Sequence, residues 1–165
     1  MTVRSWQVVV AMADLVSDIT GAAAQVARAL RASGYRSDFS SDSLWDIEAF
    51  FREHTQGGAP RRGGLLTPDT GARLFALGGY IGEVIRRERG GEWVADDADE
   101  AGEINIALRL ADGSLCWPVQ RAMKRVSSGD SESIVIYGRG LGLPVGSKPV
   151  TNILRRVGRF LANGR

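Results

Sequence analysis

The stretch LFALGGYIGEVIRRERGGEW, residues Leu74 to Trp93, decides the fold of this chain. Its apolar side chains recur at helical spacing and predict one buried stripe, formed by Leu74, Leu77, Ile81, Val84 and Ile85. The upstream Thr67-Pro68-Asp69 predicts the start of the helix, with Thr67 as the N-cap and Pro68 at the first helical position. Gly90-Gly91 predicts its end, and a strand is expected to follow from Glu92.

A second stripe of the same helix consists of glycines, namely Gly71, Gly78, Gly79 and Gly82. Each interior glycine lowers helix stability by up to about 1 kcal/mol relative to alanine, so this cluster needs a reason. The favoured reason is a close crossing of another helix or of a sheet, which only a bare backbone allows. The alternative is a ligand that lies against Gly78, Gly79 and Gly82, in which case Tyr80 belongs to the same binding site.

Short motifs in and around this helix carry a family resemblance. They are GYIGEV at residues 79–84, GGEW at 90–93, Asp38-Phe39-Ser40, and Trp117-Pro118 followed by Lys124-Arg125 and Gly129. Over residues 36–140 the chain resembles small uncharacterised bacterial domains of the DUF3806 type and their actinobacterial relatives. The resemblance implies a shared small α+β fold, and it implies no activity.

Periodicity along the rest of the chain predicts an α+β fold with helices packed on a small antiparallel three-stranded meander. The predicted helices cover residues 3–33, 44–53 with Ser43 as N-cap, 118–128 and 148–162. The predicted strands cover residues 92–95, 104–110 and 114–117, with a turn at Ala111-Asp112-Gly113. Residues 55–66 and the acidic segment 96–103 are expected to be loops. Residues 131–142 could form a strand or a helix, and the resemblance favours the helix.

Length and composition predict a single domain over residues 1–165, with a core at about 36–140 and helical extensions over 3–33 and 148–162. The hydrophobic fraction of 44%, the charged fraction of 24% and the net charge of +2 are ordinary for a globular protein. The single cysteine, Cys116, excludes an internal disulfide, which fits a cytoplasmic location. No apolar run is long enough to cross a membrane, and the two long apolar terminal helices make a homodimer plausible.

The residues that usually carry chemistry are sparse. The single histidine, His54, excludes any site that needs two, and zinc is poorly supported by one histidine and one cysteine. The acidic residues of segment 96–103 lack the spacing of a calcium loop, and no P-loop or nucleophile elbow is present. The sequence therefore predicts no metal and no cofactor.

Glu83 is the one weak candidate for a catalytic residue. Its position on the helix favours a surface ion pair with Arg87, on the side that also carries Tyr80. The alternative is a buried carboxylate that pairs with Arg121 or Arg125 in a pocket above the glycines. Such a buried pair more often fixes a fold than catalyses a reaction.

Basic residues are common on the predicted helix faces: Arg86, Arg87, Arg89, Arg121, Lys124, Arg125, Arg155, Arg156 and Arg159. Together they could bind phosphates, although solvated helix faces are the simpler interpretation. Three functional classes follow. The leading one is a non-catalytic cytoplasmic module that binds a protein partner, of a regulatory or toxin-neutralising type. The alternatives are a nucleic-acid-binding protein that uses the arginine faces, and an enzyme of unrecognised type that uses Glu83.

Overall fold

A computed structural model of the chain describes residues 3–95 and 105–150, with side chains from residue 14 onward. Within these residues the helices are α1 (Val3–Ala32), α2 (Leu44–His54), α3 (Thr70–Arg89), α4 (Pro118–Ser128) and α5 (Ile134–Gly140). Two 3-10 turns, Ser41–Ser43 and Gly129–Glu132, precede α2 and α5. The strands are β1 (Thr55–Gln56), β2 (Ala59–Pro60), β3 (Glu92–Val94), β4 (Ala107–Arg109) and β5 (Leu115–Cys116).

The three-stranded antiparallel meander is confirmed, with the strands in the order β3-β4-β5. Trp93, Leu108 and Cys116 are paired across the sheet and are all buried, so they form the face that packs on the helices. The predicted hairpin turn joins β4 to β5: the N–H of Leu110 donates to the carbonyl oxygen of Ser114 at 2.8 Å. The chain is thus an α+β protein, as its change of period from helical to alternating predicts.

Helix α3 lies at the centre of the helical layer, between α1 and α4. The contacting face of α1 consists of Ile19, Ala23, Ala27 and Leu30, all of which are buried. Alanine at two of these positions lets the helix backbones approach closely. Most of the core side chains of α3 that the sequence predicts are fully buried, including Ile81, Val84 and Ile85.

Residues 131–142 contain a helix, α5, as the resemblance led us to expect. The N–H groups at its start have acceptors despite the strand propensity of Ile134-Val135-Ile136-Tyr137. The N–H of Ile134 donates to the Glu48 carboxylate at 2.8 Å, and the N–H of Ile136 donates to the Ser133 hydroxyl. These tertiary and capping bonds explain why the helix forms.

The N-cap predicted at Thr67 is wrong, whereas Ser43 occupies its predicted N-cap position before α2 but makes no capping hydrogen bond with its side chain. Helix α3 begins at Thr70, and Thr67 lies in the preceding turn, where its N–H and its hydroxyl both donate to the carbonyl oxygen of Gly64. The Thr67-Pro68 peptide bond is cis. The Ser43 hydroxyl does not bond a backbone N–H of α2, because it donates to the carbonyl oxygen of Ser40 and lies 2.7 Å from the Tyr80 hydroxyl.

The loop predicted at residues 55–66 begins with a short hairpin, β1-β2, rather than with irregular chain. The strand predicted over residues 104–110 is shorter and covers Ala107–Arg109. The acidic segment 96–103 and the last predicted helix from residue 151 lie outside the described residues. None of the helices in the described part of the chain has both the length and the apolar character that a membrane span requires.

Candidate functional site

Two glycines of α3 lie against neighbouring helices of the same chain. A Cβ atom at Gly78 would lie 2.5 Å from the Cα of Val119 on α4. A Cβ atom at Gly79 would lie 2.8 Å from the carbonyl oxygen of Ile19 on α1. The protein itself therefore covers the backbone at both positions, which favours the packing explanation of these glycines over a bound ligand.

Gly82 makes room for an aromatic ring from the sheet. A Cβ atom there would overlap the six-membered ring of Trp93 and would lie 3.2 Å from Cγ of Pro118. At Gly71, in contrast, a Cβ atom would have no neighbour within 4 Å, so nothing in the structure explains a glycine at this position. Three of the four glycines thus mark crossings of α3 with α1, α4 and the sheet.

Glu83 is buried, with 5% of its surface exposed, and its carboxylate is fully engaged. Oε1 accepts hydrogen bonds from Arg86 Nε and Trp93 Nε1, and Oε2 accepts one from the second Arg86 nitrogen, all at 2.9 Å. Burial by itself would raise the pKa of Glu83, but the bonds from Arg86 and Trp93 outweigh it and hold the pKa below its usual value. The group is an ionised, fixed acceptor, which is a poor starting point for a general base.

The partner of Glu83 differs from both predictions. The sequence predicts Arg87, or else Arg121 or Arg125, whereas the structure supplies Arg86 at the i+3 position. Arg87 instead lies over the ring of Phe39, with 4.0 Å between its guanidinium carbon and the ring centroid. Trp93 bonds the same carboxylate as Arg86, and Arg87, the predicted i+4 partner, is engaged with Phe39 instead.

Arg125 does not lie on a solvated helix face, which was the simpler interpretation, because it is only 1% exposed. Its Nε donates to Glu48 of α2 at 2.8 Å, and its NH2 nitrogen donates to Asp130 at 2.7 Å. Arg121 pairs separately with Glu132 and lies 4.3 Å from the centroid of the Tyr137 ring. Each arginine thus has its own carboxylate partner, in a different place from Glu83.

Tyr80 holds the segment before α2. Its buried hydroxyl accepts a hydrogen bond from the N–H of Phe39 at 3.0 Å and lies 2.7 Å from the Ser43 hydroxyl. Its ring is stacked on that of Phe39, whose φ of +60° is rare for a residue other than glycine. Such a conformation costs about 1–3 kcal/mol and persists only where its surroundings fix it, as Tyr80 does here. The position of Tyr80 is explained by this structural role.

His54 is a neutral histidine with both ring nitrogens in use. Its Nδ1 accepts a hydrogen bond from the N–H of Leu65 at 3.2 Å, and its Nε2 lies 3.0 Å from the Tyr35 hydroxyl. Since that hydroxyl donates to Glu53 at 2.7 Å, the proton between His54 and Tyr35 must come from Nε2. Burial and the charge of Arg61 lower the pKa of His54. Among the described residues no group of three or more metal-ligating side chains exists.

Trp117 belongs to one of the motifs of the resemblance, but its exposure at the surface was not predicted. It is 41% exposed, and Leu115, two residues earlier in β5, is 44% exposed, with the buried Cys116 between them. The indole N–H of Trp45 donates to Gly146 and that of Trp93 to Glu83, whereas that of Trp117 has no hydrogen-bond partner among the described residues. We define the Trp117 surface as these two apolar residues, Trp117 and Leu115. Burial depends on the tertiary fold, so the local sequence contains no signal for it.

Comparison of the chain with models of protein families, with curated proteins and with solved structures finds no match. The resemblance to domains of the DUF3806 type therefore stays a prediction.

Proposed function

We propose that the protein is a non-catalytic interaction module, of a regulatory or toxin-neutralising type, that binds a protein partner in the cytoplasm. The observation that carries this proposal is the Trp117 surface, in which two large apolar side chains are more than two-fifths exposed. Tryptophan is enriched among the residues that dominate binding energy in protein interfaces. Exposing a large apolar side chain costs about 25 cal/mol for each Å² that could be buried, so a partner would gain from covering it.

The chain on both sides of Trp117 belongs to packed elements of the fold. Cys116, between the two exposed side chains, is buried and paired with Leu108 of β4. Pro118, directly after Trp117, begins α4 and packs beside Gly82 of α3. The backbone at Trp117 is therefore held between the sheet and α4, so that only the side chain remains to be ordered on binding, and this favours a role as a binding anchor.

The charges around this surface suggest the chemistry of the partner. Arg109, which is paired in register with Leu115, forms an ion pair with Glu92 at 3.2 Å. Arg121, one helical turn after Trp117, is paired with Glu132. With both cations neutralised, the surface suits an apolar pocket on another protein, which would also supply a carbonyl or carboxylate acceptor for the indole N–H.

The proposal also accounts for what the candidate residues do. Both carboxylate oxygens of Glu83 already accept hydrogen bonds from Arg86 and Trp93, which disfavours the hypothesis that Glu83 is a catalytic base. The helix-face arginines Arg86, Arg89, Arg121 and Arg125 all form ion pairs, which speaks against the predicted use of these faces for nucleic acid. A homodimer would be a special case in which the partner is a second copy of the chain.

The test is a comparison of three tagged proteins recovered from the native host after nuclease treatment: the wild type, Trp117→Ala, and Ile136→Ala as a control. Ile136 is 68% exposed and lies on α5, so its substitution removes a comparable apolar side chain elsewhere. We expect a stoichiometric protein with the wild type and the control that is lost with Trp117→Ala. The purified partner should then bind the wild type at least about tenfold more tightly than Trp117→Ala, as expected for a hot spot.

Two results would contradict the proposal. One is recovery of the same proteins in the same amounts with all three variants. The other is that Trp117→Ala has a lower urea midpoint than Ile136→Ala by enough to explain the loss through unfolding.

A further inference from the structure

The arginines in the described part of the chain differ in whether a carboxylate or an aromatic ring compensates their charge. The arginines on the later helices are engaged: Arg86, Arg89, Arg121 and Arg125 are in ion pairs, and Arg87 lies over Phe39. The arginines around the β1-β2 hairpin are not. Arg52, Arg61 and Arg62 are exposed and form no ion pair with any residue that the structure describes. Arg28 and Arg31 of α1 also form no ion pair with a described residue, but the hairpin region carries three such arginines within residues 52–62.

The fold brings these arginines to one end of the molecule. The N–H of Arg61 donates to the carbonyl oxygen of His54 at 2.8 Å, so β2 returns the chain to the end of α2, where Arg52 lies. A tight turn follows, in which the N–H of Gly64 donates to the carbonyl oxygen of Arg61 at 2.9 Å. Arg73, from the first turns of α3, reaches the same loop and donates to the carbonyl oxygen of Leu65 at 2.8 Å.

The loop that carries Arg61 and Arg62 is held in place. Leu66 is fully buried in the core, and the N–H of Leu65 donates to His54. The carboxylate of Glu53, the nearest acidic group on α2, accepts a hydrogen bond from the Tyr35 hydroxyl. The positive charge of Arg61 also lowers the pKa of His54, after burial, which indicates that its guanidinium lies near this ring.

We infer that this hairpin surface, defined as Arg52, Arg61, Arg62 and Arg73, binds the phosphate backbone of a nucleic acid. Guanidinium groups bind phosphate oxygens with two parallel hydrogen bonds, and several of them on one surface match the repeated charge of a nucleic acid strand. The described part of this surface offers no exposed aromatic ring on which a base could stack, so the binding is independent of base sequence. The surface is independent of Trp117, and either proposal can fail without the other.

The test is fluorescence anisotropy of the full chain with a labelled single-stranded oligouridylate of about 20 nucleotides, long enough to span several phosphate contacts. The test variant is Arg61→Ala/Arg62→Ala. The matched control is Arg155→Ala/Arg156→Ala, which removes another adjacent arginine pair of the sequence. Equal urea midpoints of the two variants show that both are folded.

We expect the hairpin variant to bind about tenfold or more weakly than the wild type. The slope of log affinity against log salt concentration should be smaller in magnitude by about 1.4, because two phosphate contacts to a single strand are lost. The control should bind as the wild type does. The inference is overturned if the control loses as much affinity as the hairpin variant, or if neither does. It is also overturned if polyglutamate at equal charge displaces the RNA as well as unlabelled RNA does, because the partner would then be an acidic protein.

Discussion

Arg125 of α4 and Glu48 of α2 form a buried ion pair, with 2.7 Å between the NH2 nitrogen of Arg125 and Oε1 of Glu48. The other carboxylate oxygen accepts the N–H of Ile134 at the start of α5, and the guanidinium also reaches Asp130 in the preceding turn. One pair thus connects α2, α4 and α5. Because both groups are almost fully withdrawn from water, the Glu48 carboxylate depends on Arg125 for compensation of its charge, and Arg125 has Asp130 as a second partner.

We expect Arg125→Ala to destabilise the protein by about 3 kcal/mol or more, since it leaves the Glu48 carboxylate buried without its cation. The matched control is Arg121→Ala on the same helix, whose ion pair with Glu132 is partly exposed and should cost less than about 1 kcal/mol. Urea denaturation at pH 7 measures both changes. Equal losses in the two variants would mean that the buried pair contributes no more than an exposed one.

Substitution by alanine should change the stability of the protein in opposite directions at two glycines of α3. Gly82→Ala should destabilise the protein by about 1–3 kcal/mol, because its methyl group would overlap the buried Trp93 ring. Gly71→Ala should stabilise it by about 0.4–1 kcal/mol, because the position is open and alanine restricts the unfolded chain. Thermal unfolding of both variants is the measurement. A stabilising Gly82→Ala would show that the ring has room to move.

Local patterns predicted most of the fold. The spacing of Leu77, Ile81 and Val84 predicted a helix with one buried face, and the alternation around Leu108 predicted a half-buried strand. Both signals come from residues within two turns or four positions of each other, so a single sequence contains them. The glycines likewise indicated close crossings, although not the neighbours that approach them.

The candidate site was predicted less well because its contacts are distant in sequence. Arg125 meets a carboxylate 77 positions away, and nothing near it marks it as the one arginine of α4 that turns inward. The cap predicted at Thr67 failed for a local reason, since Thr67 has a suitable side chain but uses it to bond Gly64 in the turn before α3. The exposure of Trp117 is also set by the whole fold, because the surrounding Leu-Cys-Trp-Pro would equally suit a buried strand end.

His54 should make the stability of the loop at residues 61–67 depend on pH. Protonation at Nδ1 would remove the acceptor of the Leu65 N–H and place a second positive charge near Arg61. The pKa of His54 in the folded protein is lowered, first by burial and then by Arg61, so the folded state binds its proton less readily than the unfolded chain does. The contribution of neutral His54 to stability is therefore complete above about pH 6.5 and is lost as the pH falls through the lowered pKa.

This prediction can be isolated because the chain contains a single histidine. The His54 ring protons, followed by NMR, should titrate below about pH 6.5, and amide exchange at Leu65 should accelerate over the same range after correction for intrinsic exchange. In His54→Asn, the side-chain oxygen can replace Nδ1 as an acceptor without titrating, so this pH dependence should disappear. Titration above about pH 6.5, or the same acceleration in His54→Asn, would show that the hydrogen bond to Leu65 does not control the loop.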